Sequence, residues 1–338
     1  MKAMVLAEFG RLDVVEYPDP VAASGEVLVA IAHTGICGTD LHGYTGANGR
    51  RVPGMVMGHE TAGVVAAVGD GISGFAPGQA VTVNPVVVPA DDAQAWRGRE
   101  QQHPGKYVIG VKPDVVAAFA QFVAVPARNV VPLPDGMPTT HGALVEPLAV
   151  ATHAVGRLNL PDGPVLVAGG GPIGQSVAVV LRQVGVRQVL VSEPAAERRE
   201  LLTALGVTAL NPGDAPVAEQ VVAVAGRPAV AAFDAVGSSG SVADCLAATE
   251  LGASVCLIGM ATPRLDLAAF DITAAERSLV GSFAYSSVDF EVALERLAST
   301  PELAEVLISR TVSLAEAPAT FAALASGDGT PGKVLVEL

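Results

Sequence analysis

The sequence predicts an α/β protein with a β-rich part followed by a doubly wound parallel sheet. Two patterns lead to this prediction. Residues 1–32 and 63–84 contain short runs of β-prone residues that Gly and Pro separate, which is typical of strands. From about residue 149, strands alternate with helical segments, among them a helix predicted over residues 242–251, as in repeated βαβ units. A chain of 338 residues also suits two domains better than one hydrophobic core.

Composition and charge exclude several classes of protein. Half of the residues are hydrophobic, so the chain is globular and not disordered. The net charge of −14 makes nucleic acid and anionic membrane surfaces poor partners. The three cysteines are widely spaced and odd in number, which argues against a disulfide framework and favours a reducing compartment. The cytoplasm is therefore the expected location. No apolar run reaches about 18 residues without Gly, Pro or a charge, so we expect no transmembrane helix.

A glycine-rich loop indicates a dinucleotide site of the Rossmann type. The predicted strand 164–168 is followed at once by the G-x-G-x-x-G pattern and then by a helical run from Gln175. Glycines let the backbone approach a pyrophosphate, and the helix N-terminus offers it amide N–H groups. We therefore expect the cofactor to lie against Gly169, Gly171, Pro172, Ile173 and Gly174.

The residue after the next strand predicts which dinucleotide binds. Glu193 lies 19 residues beyond Gly174, where a carboxylate accepts hydrogen bonds from the ribose hydroxyls and repels a 2′-phosphate. This favours NAD. Arg198 and Arg199 are the counter-evidence, because a nearby arginine can accept that phosphate. NADP therefore stays the alternative, although both arginines also suit an exposed helix face.

The window 35–42 and the pair after Gly58 indicate a metal site. Cys37 and His59 offer the sulfur and nitrogen ligands that Zn²⁺ prefers. Asp40 and Glu60 are carboxylates beside them, able to bind the metal or to orient the imidazole. Two further residues suit a relay that carries a proton away from the metal, Thr39 and His42.

These motifs resemble those of a known family. The segment 58–69, Gly-His-Glu-Thr-Ala-Gly-Val-Val-Ala-Ala-Val-Gly, resembles the zinc-site signature of the medium-chain dehydrogenase/reductases, the zinc alcohol dehydrogenases. Cys37 in Cys-Gly-Thr-Asp-Leu-His fits the same family, closest to its butanediol and sorbitol dehydrogenase branch. The resemblance implies a discontinuous, chaperonin-10-like (GroES-like) catalytic domain over 1–148 and 289–338, and a Rossmann domain over 149–288. It also implies a homodimer or homotetramer.

A third motif concerns Glu146, a carboxylate inside an apolar run. Burying it requires a partner, which a salt bridge, a helix cap or a metal can supply. Glu146-Pro-Leu-Ala resembles the third zinc-site motif of the family. Cys37 and His59 are thus the expected ligands, and Glu60 and Glu146 compete for the remaining place.

The resemblance also implies the roles of other residues. Asp40 should hydrogen-bond His59, and Thr39 should pass a proton to the cofactor ribose and on to His42. The residues that resemble the lining of the family's nicotinamide pocket are Ile258, Met260, Ser282 and Ala284.

Many family members bind a second, structural zinc through four cysteines in the region that corresponds to residues 86–112. This stretch contains no cysteine, so we expect one catalytic zinc and no structural zinc of that kind. Other contacts must hold the segment together, with Trp96 as a candidate anchor.

The expected reaction is the reversible oxidation of an alcohol to a ketone. Related polyol dehydrogenases often carry a Tyr and an Arg where Gly43 and Ala284 stand here. These differences argue against a long polyol such as sorbitol. The stretch Gly281-Ser-Phe-Ala-Tyr-Ser-Ser-Val-Asp-Phe resembles (R,R)-butanediol dehydrogenases, which implies a small vicinal diol or another secondary alcohol as the substrate. The alternatives are a polyol, sugar-alcohol or aminocyclitol dehydrogenase, a zinc-free reductase of the same fold, and a dinucleotide-binding redox sensor without turnover.

Overall fold

The computed structural model describes residues 1–47 and 49–338, which divide into two compact units. The first unit contains Met1–Ala149, Tyr285–Asp328 and Lys333–Leu338, and the second contains Val150–Ala284 and Gly329–Gly332. The domain boundaries predicted from the sequence, after residues 148 and 288, stay a prediction. No helix among the described residues is long and apolar enough to span a membrane.

Short strands dominate the N-terminal part of the chain. Its elements are, in order, β1 Lys2–Glu8, β2 Arg11–Glu16, β3 Glu26–Gly35, α1 Gly38–Tyr44, β4 Glu60–Val68, β5 Ala80–Val83, β6 Val86–Val87, β7 Tyr107–Val108, β8 Phe122–Pro126, β9 Val130–Pro132, α2 Thr139–Gly142 and α3 Val145–Gly156. Alternating burial along β3 fits a sheet with an apolar inner face.

The C-terminal segment returns to the first unit. Its elements are α9 Ser287–Ser299, α10 Glu302–Leu307, β16 Ile308–Ser313, α11 Ala317–Ala325 and β17 Lys333–Glu337. Over the described residues, the main sheet of this unit runs in the order β16-β17-β3-β4-β5-β9, and β8 also pairs with β3. A valine-rich core fills it, with Val27, Val29, Val65 and Val81 each at most 1% exposed.

The second unit is built from alternating strands and helices. Its elements are β10 Val165–Ala168, α4 Pro172–Gln183, β11 Val189–Ser192, α5 Ala196–Ala204, β12 Thr208–Leu210, α6 Val217–Ala225, β13 Ala229–Asp234, α7 Ser239–Ala248, β14 Thr249–Leu257, α8 Ala269–Thr273 and β15 Ser278–Gly281. Among the described residues, six parallel strands lie in the order β12-β11-β10-β13-β14-β15. This is the doubly wound arrangement, which confirms the predicted fold class.

Two predicted helix limits were wrong. The helix expected over residues 242–251 ends at Ala248, because the Thr249 hydroxyl caps the last turn by donating to the carbonyls of Cys245 and Leu246. Thr249 then begins β14. The helix after the glycine loop begins at Pro172 and not at Gln175, since proline is well suited to the first helical position.

The cysteine-free segment 86–112 is held by side-chain contacts centred on His103, which is only 5% exposed. Its Nδ1 accepts the N–H of Gly105 at 2.9 Å, so Nε2 carries the proton and donates to Asp92 at 3.1 Å. The Trp96 ring packs edge-on against His103 with centroids 4.7 Å apart, and the Arg99 guanidinium lies 4.5 Å above the Trp96 ring. These contacts form a small core for the segment.

Candidate metal centre and cofactor loop

Strand pairing brings together three parts of the chain that are distant in sequence. Gly35 at the end of β3 pairs with Glu60 at the start of β4, and on its other side with Leu335 of β17. Cys37 follows β3, while His59 precedes β4. The register of the sheet therefore places the predicted ligands Cys37, His59 and Glu60 close together.

The ligand atoms of Cys37, His59 and Glu60 all lie within 4.8 Å of one another, and all three side chains are buried. Thr39 sits beside them in the first turn of α1. Its hydroxyl donates to Cys37 Sγ at 3.3 Å and lies 3.5 Å from His59 Nε2. The Nε2 nitrogen of His59 thus faces the same space as the thiol.

A buried ion pair lies behind the imidazole. Asp40 Oδ1 is 3.4 Å from His59 Nδ1, the spacing of an ion pair, and Asp40 itself is fully buried. Burial raises the pKa of Asp40, but His59 and Arg51 outweigh it and bring the pKa below its usual value. For His59 burial lowers the pKa, whereas Asp40 and Cys37 raise it well above 6.5. Asp40 and Cys37 therefore stabilise positive charge at the His59 ring.

Glu60 is paired with Lys333. The Lys333 ammonium donates to Glu60 Oε1 at 2.8 Å, lies 2.7 Å from Oε2 and also donates to the Ile36 carbonyl at 3.3 Å. Burial lowers the pKa of Lys333, yet Glu60 raises it above its ordinary value, so the lysine is charged. A Cβ on Gly35 would lie 2.2 Å from Glu60 Oε2. Glycine at this position therefore leaves room for the carboxylate.

Glu146 lies in the first turn of α3, where its Oε1 accepts the hydroxyl of Tyr285 at 2.9 Å. Burial raises the pKa of Glu146 to about 7, with Glu60 adding to the rise and His59 opposing it. Tyr285 is fully buried, and burial raises its pKa well above 10. Tyr285 is therefore a neutral donor to the carboxylate.

The buried charges fit a divalent cation. Two cations, Arg51 and Lys333, lie among four groups that are negative when ionised: Cys37, Asp40, Glu60 and Glu146. With His59 neutral, as a metal ligand must be, full ionisation of these groups leaves two negative charges in a buried environment, where uncompensated charge is costly. A single Zn²⁺ neutralises them, and a thiolate, an imidazole and a carboxylate are ligands that it prefers. The residues present therefore fit the metal.

Three of these residues were missed by the sequence reasoning: Arg51, Tyr285 and Lys333. Tyr285 was noted only within a stretch that resembles butanediol dehydrogenases. Arg51 and Lys333 carry no motif, and charged residues next to turns are usually exposed. Lys333 lies 273 residues from its partner. These residues are recognised only in the folded structure, where their polar side chains are buried beside the predicted ligands.

The glycine loop follows the C-terminal end of β10, at the point where neighbouring strands β11 and β13 lead to opposite halves of the sheet. Gly169 has a φ of 92°, which favours glycine. A Cβ on Gly174 would lie 1.8 Å from the Gly169 carbonyl oxygen, so only glycine allows this close turn. Gly171 is the N-cap residue of α4, and Pro172 and Ile173 begin its first turn, where Ile173 has a free backbone N–H and Pro172 has none.

Glu193 lies directly beside this loop. Its Oε2 accepts the Gly170 N–H at 2.8 Å and its Oε1 accepts the Ala195 N–H at 2.9 Å. Arg198 reaches Glu193 Oε2 at 3.9 Å, and Arg199 donates to the Glu193 and Pro194 carbonyls. The carboxylate is therefore held in one orientation at the end of β11.

The residues predicted to line the nicotinamide pocket lie after two neighbouring strands. Ile258 and Met260 follow β14, while Ser282 and Ala284 follow β15. The Ser282 N–H donates to the Leu257 carbonyl at 2.9 Å, which ties the two strand ends together. Ala284 has a φ of 48°, an uncommon conformation for a residue other than glycine. These four residues thus share the carboxyl edge of the sheet.

Comparison with known proteins identifies the family. Residues 23–135 match the alcohol dehydrogenase GroES-like domain, and residues 172–299 match the zinc-binding dehydrogenase domain. The chain is 35% identical over 332 residues to 2-dehydro-3-deoxy-L-galactonate 5-dehydrogenase of Pseudoalteromonas atlantica, covering 96% of this chain and 95% of that protein. The chain belongs to the zinc-binding alcohol dehydrogenase family. It is therefore an oxidoreductase, as the sequence predicted.

Solved structures with the same fold cover the whole chain. Galactitol-1-phosphate dehydrogenase from Escherichia coli superimposes with a TM-score of 0.90 at 26% identity, covering 100% of both chains. The (2R,3R)-butanediol dehydrogenase of Bacillus subtilis gives a TM-score of 0.89 at 24% identity, covering 100% of this chain and 99% of the other. At these identities, substrates differ within one family, so fold alone does not name the alcohol.

Proposed function

We propose that this dehydrogenase binds one zinc ion and uses NAD to interconvert a secondary alcohol and its ketone. The observation that carries the proposal is the buried group of Cys37, His59 and Glu60, whose donor atoms lie within 4.8 Å of one another. When His59 is neutral, as a metal ligand must be, the ionised groups around it carry two uncompensated negative charges, which suits a divalent ion. The segment 86–112 contains no cysteine to bind a second zinc and packs around His103 and Trp96, which supports one zinc per chain.

Glu60 is the proposed third protein ligand, because its carboxylate belongs to this compact group. Lys333 then balances part of the negative charge that the ligands bring. Glu146 stays hydrogen-bonded to Tyr285 and supplies the remaining negative charge close by. The alternative, with Glu146 as ligand, requires it to leave or share that hydrogen bond.

The chain's own residues orient the ligands and move the proton. When bound, zinc supplies a Lewis acid that lowers the pKa of the alcohol, and NAD accepts the hydride. Asp40 holds the imidazole of His59 from behind. The Thr39 hydroxyl, next to Cys37 Sγ and His59 Nε2, would take the proton of the alcohol while passing its own proton to the cofactor ribose and on towards His42. His42 lies three residues further along α1, on the same face of the helix, and is the proposed route to solvent.

NAD is the proposed cofactor because Glu193 is buried and fixed beside the glycine loop by two backbone N–H groups. A fixed carboxylate binds ribose hydroxyls and repels a 2′-phosphate. Arg199 is already engaged with two backbone carbonyls, and Arg198 lies near Glu193 itself. Because both arginines already have these contacts, they do not favour a 2′-phosphate over the ribose hydroxyls of NAD.

The proposed substrate carries a hydroxyl next to a second oxygen, as in a small vicinal diol. Gly43 leaves no side chain where related polyol dehydrogenases often carry a tyrosine, which weakens the case for a long polyol such as sorbitol. A second candidate is a sugar acid. The full-length relative at 35% identity is named for the oxidation of a deoxy sugar acid.

The test combines zinc content with NAD⁺ reduction on a panel of 2,3-butanediol stereoisomers, simple secondary alcohols, 3-deoxy sugar acids and sorbitol. We expect about one zinc per chain, and loss of both zinc and activity in Cys37→Ser. Cys245→Ser is the matched control, since that thiol is buried in the core of the second unit. Full activity in zinc-free protein would contradict the assignment of a catalytic zinc. Zinc-loaded protein without turnover on any alcohol would leave only a binding role.

A further inference from the structure

Arg51 is a fully buried arginine in the segment between α1 and β4. Its side chain is 1% exposed and is the largest of the fully buried side chains among the described residues. Its Nη2 donates to Asp40 Oδ1 at 3.2 Å, and Asp40 is itself completely buried. A buried guanidinium is stable only with a well-placed carboxylate, so the two residues depend on each other.

The stem of Arg51 lies against the helix that carries the metal motif. A Cβ at Gly43 would be 2.2 Å from Arg51 Cγ and 3.0 Å from Arg51 Cβ. The absence of a side chain at position 43 is therefore explained by the space that Arg51 needs. The same glycine that separates this sequence from tyrosine-bearing polyol dehydrogenases admits the arginine.

Asp40 contacts both of the firmest predicted metal ligands. Oδ1 lies between Arg51 and the His59 ring, while Oδ2 accepts the backbone N–H of Cys37 at 3.4 Å. One carboxylate therefore fixes the ring of one ligand and the backbone of the other. The Arg51 guanidinium holds Oδ1 and so fixes the rotation of the Asp40 carboxylate about its side-chain bond.

We propose that Arg51 is a positioning residue for the metal centre, acting through Asp40 to keep His59 and Cys37 aimed at one zinc ion. The inference rests on the proposed zinc site. Without the guanidinium, the buried carboxylate loses its charge partner and must rotate or recruit water. Both ligands then lose their common support. Outer contacts of this type change metal affinity by roughly 10- to 100-fold.

The experiment measures the zinc dissociation constant of metal-free protein by competition with a fluorescent chelator, which needs no catalytic activity. Arg51→Met, Asp40→Asn and the double variant are compared with wild type. Each single change should weaken zinc binding by roughly 10- to 100-fold. Because Arg51 acts only through Asp40, adding Arg51→Met to Asp40→Asn should change the constant by less than about threefold. Arg310→Met is the control, since it removes an arginine–aspartate pair of the same 3.2 Å spacing on the surface.

Two results would overturn the inference. The first is a zinc dissociation constant in Arg51→Met or Asp40→Asn within about twofold of wild type. The second is a further large loss when Arg51→Met is added to Asp40→Asn, which would mean a general structural role. If Arg51→Met alone fails to fold, the test compares Asp40→Asn with the double variant. The double variant removes both charges and so leaves no buried ion of this pair without its partner. A wild-type protein that binds no zinc would instead contradict the proposed function.

Discussion

At the scale of single residues, Glu193 has a structural role and a proposed role in cofactor recognition. Its two carboxylate oxygens accept N–H groups from Gly170 and Ala195, so the side chain connects the glycine loop to the start of α5. Each oxygen has further lone pairs for ribose hydroxyls. The carboxylate is thus held at a fixed point next to the glycine loop, where we expect its negative charge to oppose a 2′-phosphate.

Replacing Glu193 by Gln should shift the cofactor preference towards NADP. The neutral amide keeps the size of the side chain but removes the charge that opposes a 2′-phosphate, while Arg198 and Arg199 stay nearby. The ratio of kcat/KM for NAD over NADP should fall by roughly 10- to 100-fold, since about 1.4–2.8 kcal/mol of repulsion is lost. Glu197→Gln, an exposed carboxylate on α5, is the control and should leave the ratio unchanged. An unchanged ratio in Glu193→Gln would refute the assignment.

At the scale of elements, the cysteine-free segment 86–112 supports the start of α9. Glu100 is 8% exposed and accepts the N–H of Ser287 at 3.1 Å and its hydroxyl at 2.6 Å, while it also accepts the Gly98 N–H. A carboxylate at a helix N-terminus is favoured by the free amides and the helix dipole. Since Tyr285 lies just before α9, this contact also fixes the donor to Glu146.

Glu100→Gln should lower the free energy of unfolding by about 1–3 kcal/mol, because a charge-assisted, nearly buried set of hydrogen bonds is replaced by neutral ones. Urea denaturation followed by circular dichroism measures this change. Asp91→Asn is the control, an exposed carboxylate in the same segment, and should change stability by less than about 0.5 kcal/mol. Equal losses of unfolding free energy in the two variants would show that Glu100 does not stabilise the start of α9.

At the scale of the whole molecule, the metal centre and the cofactor loop belong to different compact units. The metal centre is assembled from residues in three separate parts of the first unit, whereas the glycine loop and Glu193 lie within one βαβ unit of the second. Each site therefore has its own local determinants. The dimer or tetramer implied by the family resemblance stays a prediction.

Gly174→Ala should strongly weaken cofactor binding and leave the zinc content unchanged. The added Cβ would lie 1.8 Å from a backbone oxygen that cannot move aside without opening the loop. NADH affinity, measured by its fluorescence on binding, should fall more than tenfold, while zinc content stays at the wild-type value. Gly156→Ala, at a helix position with open space, is the control and should change neither. Loss of zinc together with NADH in Gly174→Ala would mean that the two sites do not assemble separately.

The sequence alone determined the fold class, the glycine loop, the family and the candidates Cys37, His59, Glu60 and Glu146. Those signals are local: hydrophobic periodicity, glycine spacing and short ligand motifs each lie within a few turns or strands of chain. The helix limit near residue 249 was wrong because the residues after Ala248 extend as a strand in the parallel sheet. Propensity within a short window does not contain that long-range pairing.

Only the tertiary structure decided which charges meet at the metal centre. Lys333 reaches Glu60 because β17 pairs with β3, and Tyr285 reaches Glu146 across 139 residues of sequence. Arg51 is buried because Gly43 leaves space for it. The energy of a buried charge depends on the partners that the whole fold brings within a few ångströms, and no local pattern records them. The sequence thus determined the chemistry that is available, and the fold decided how that chemistry is balanced.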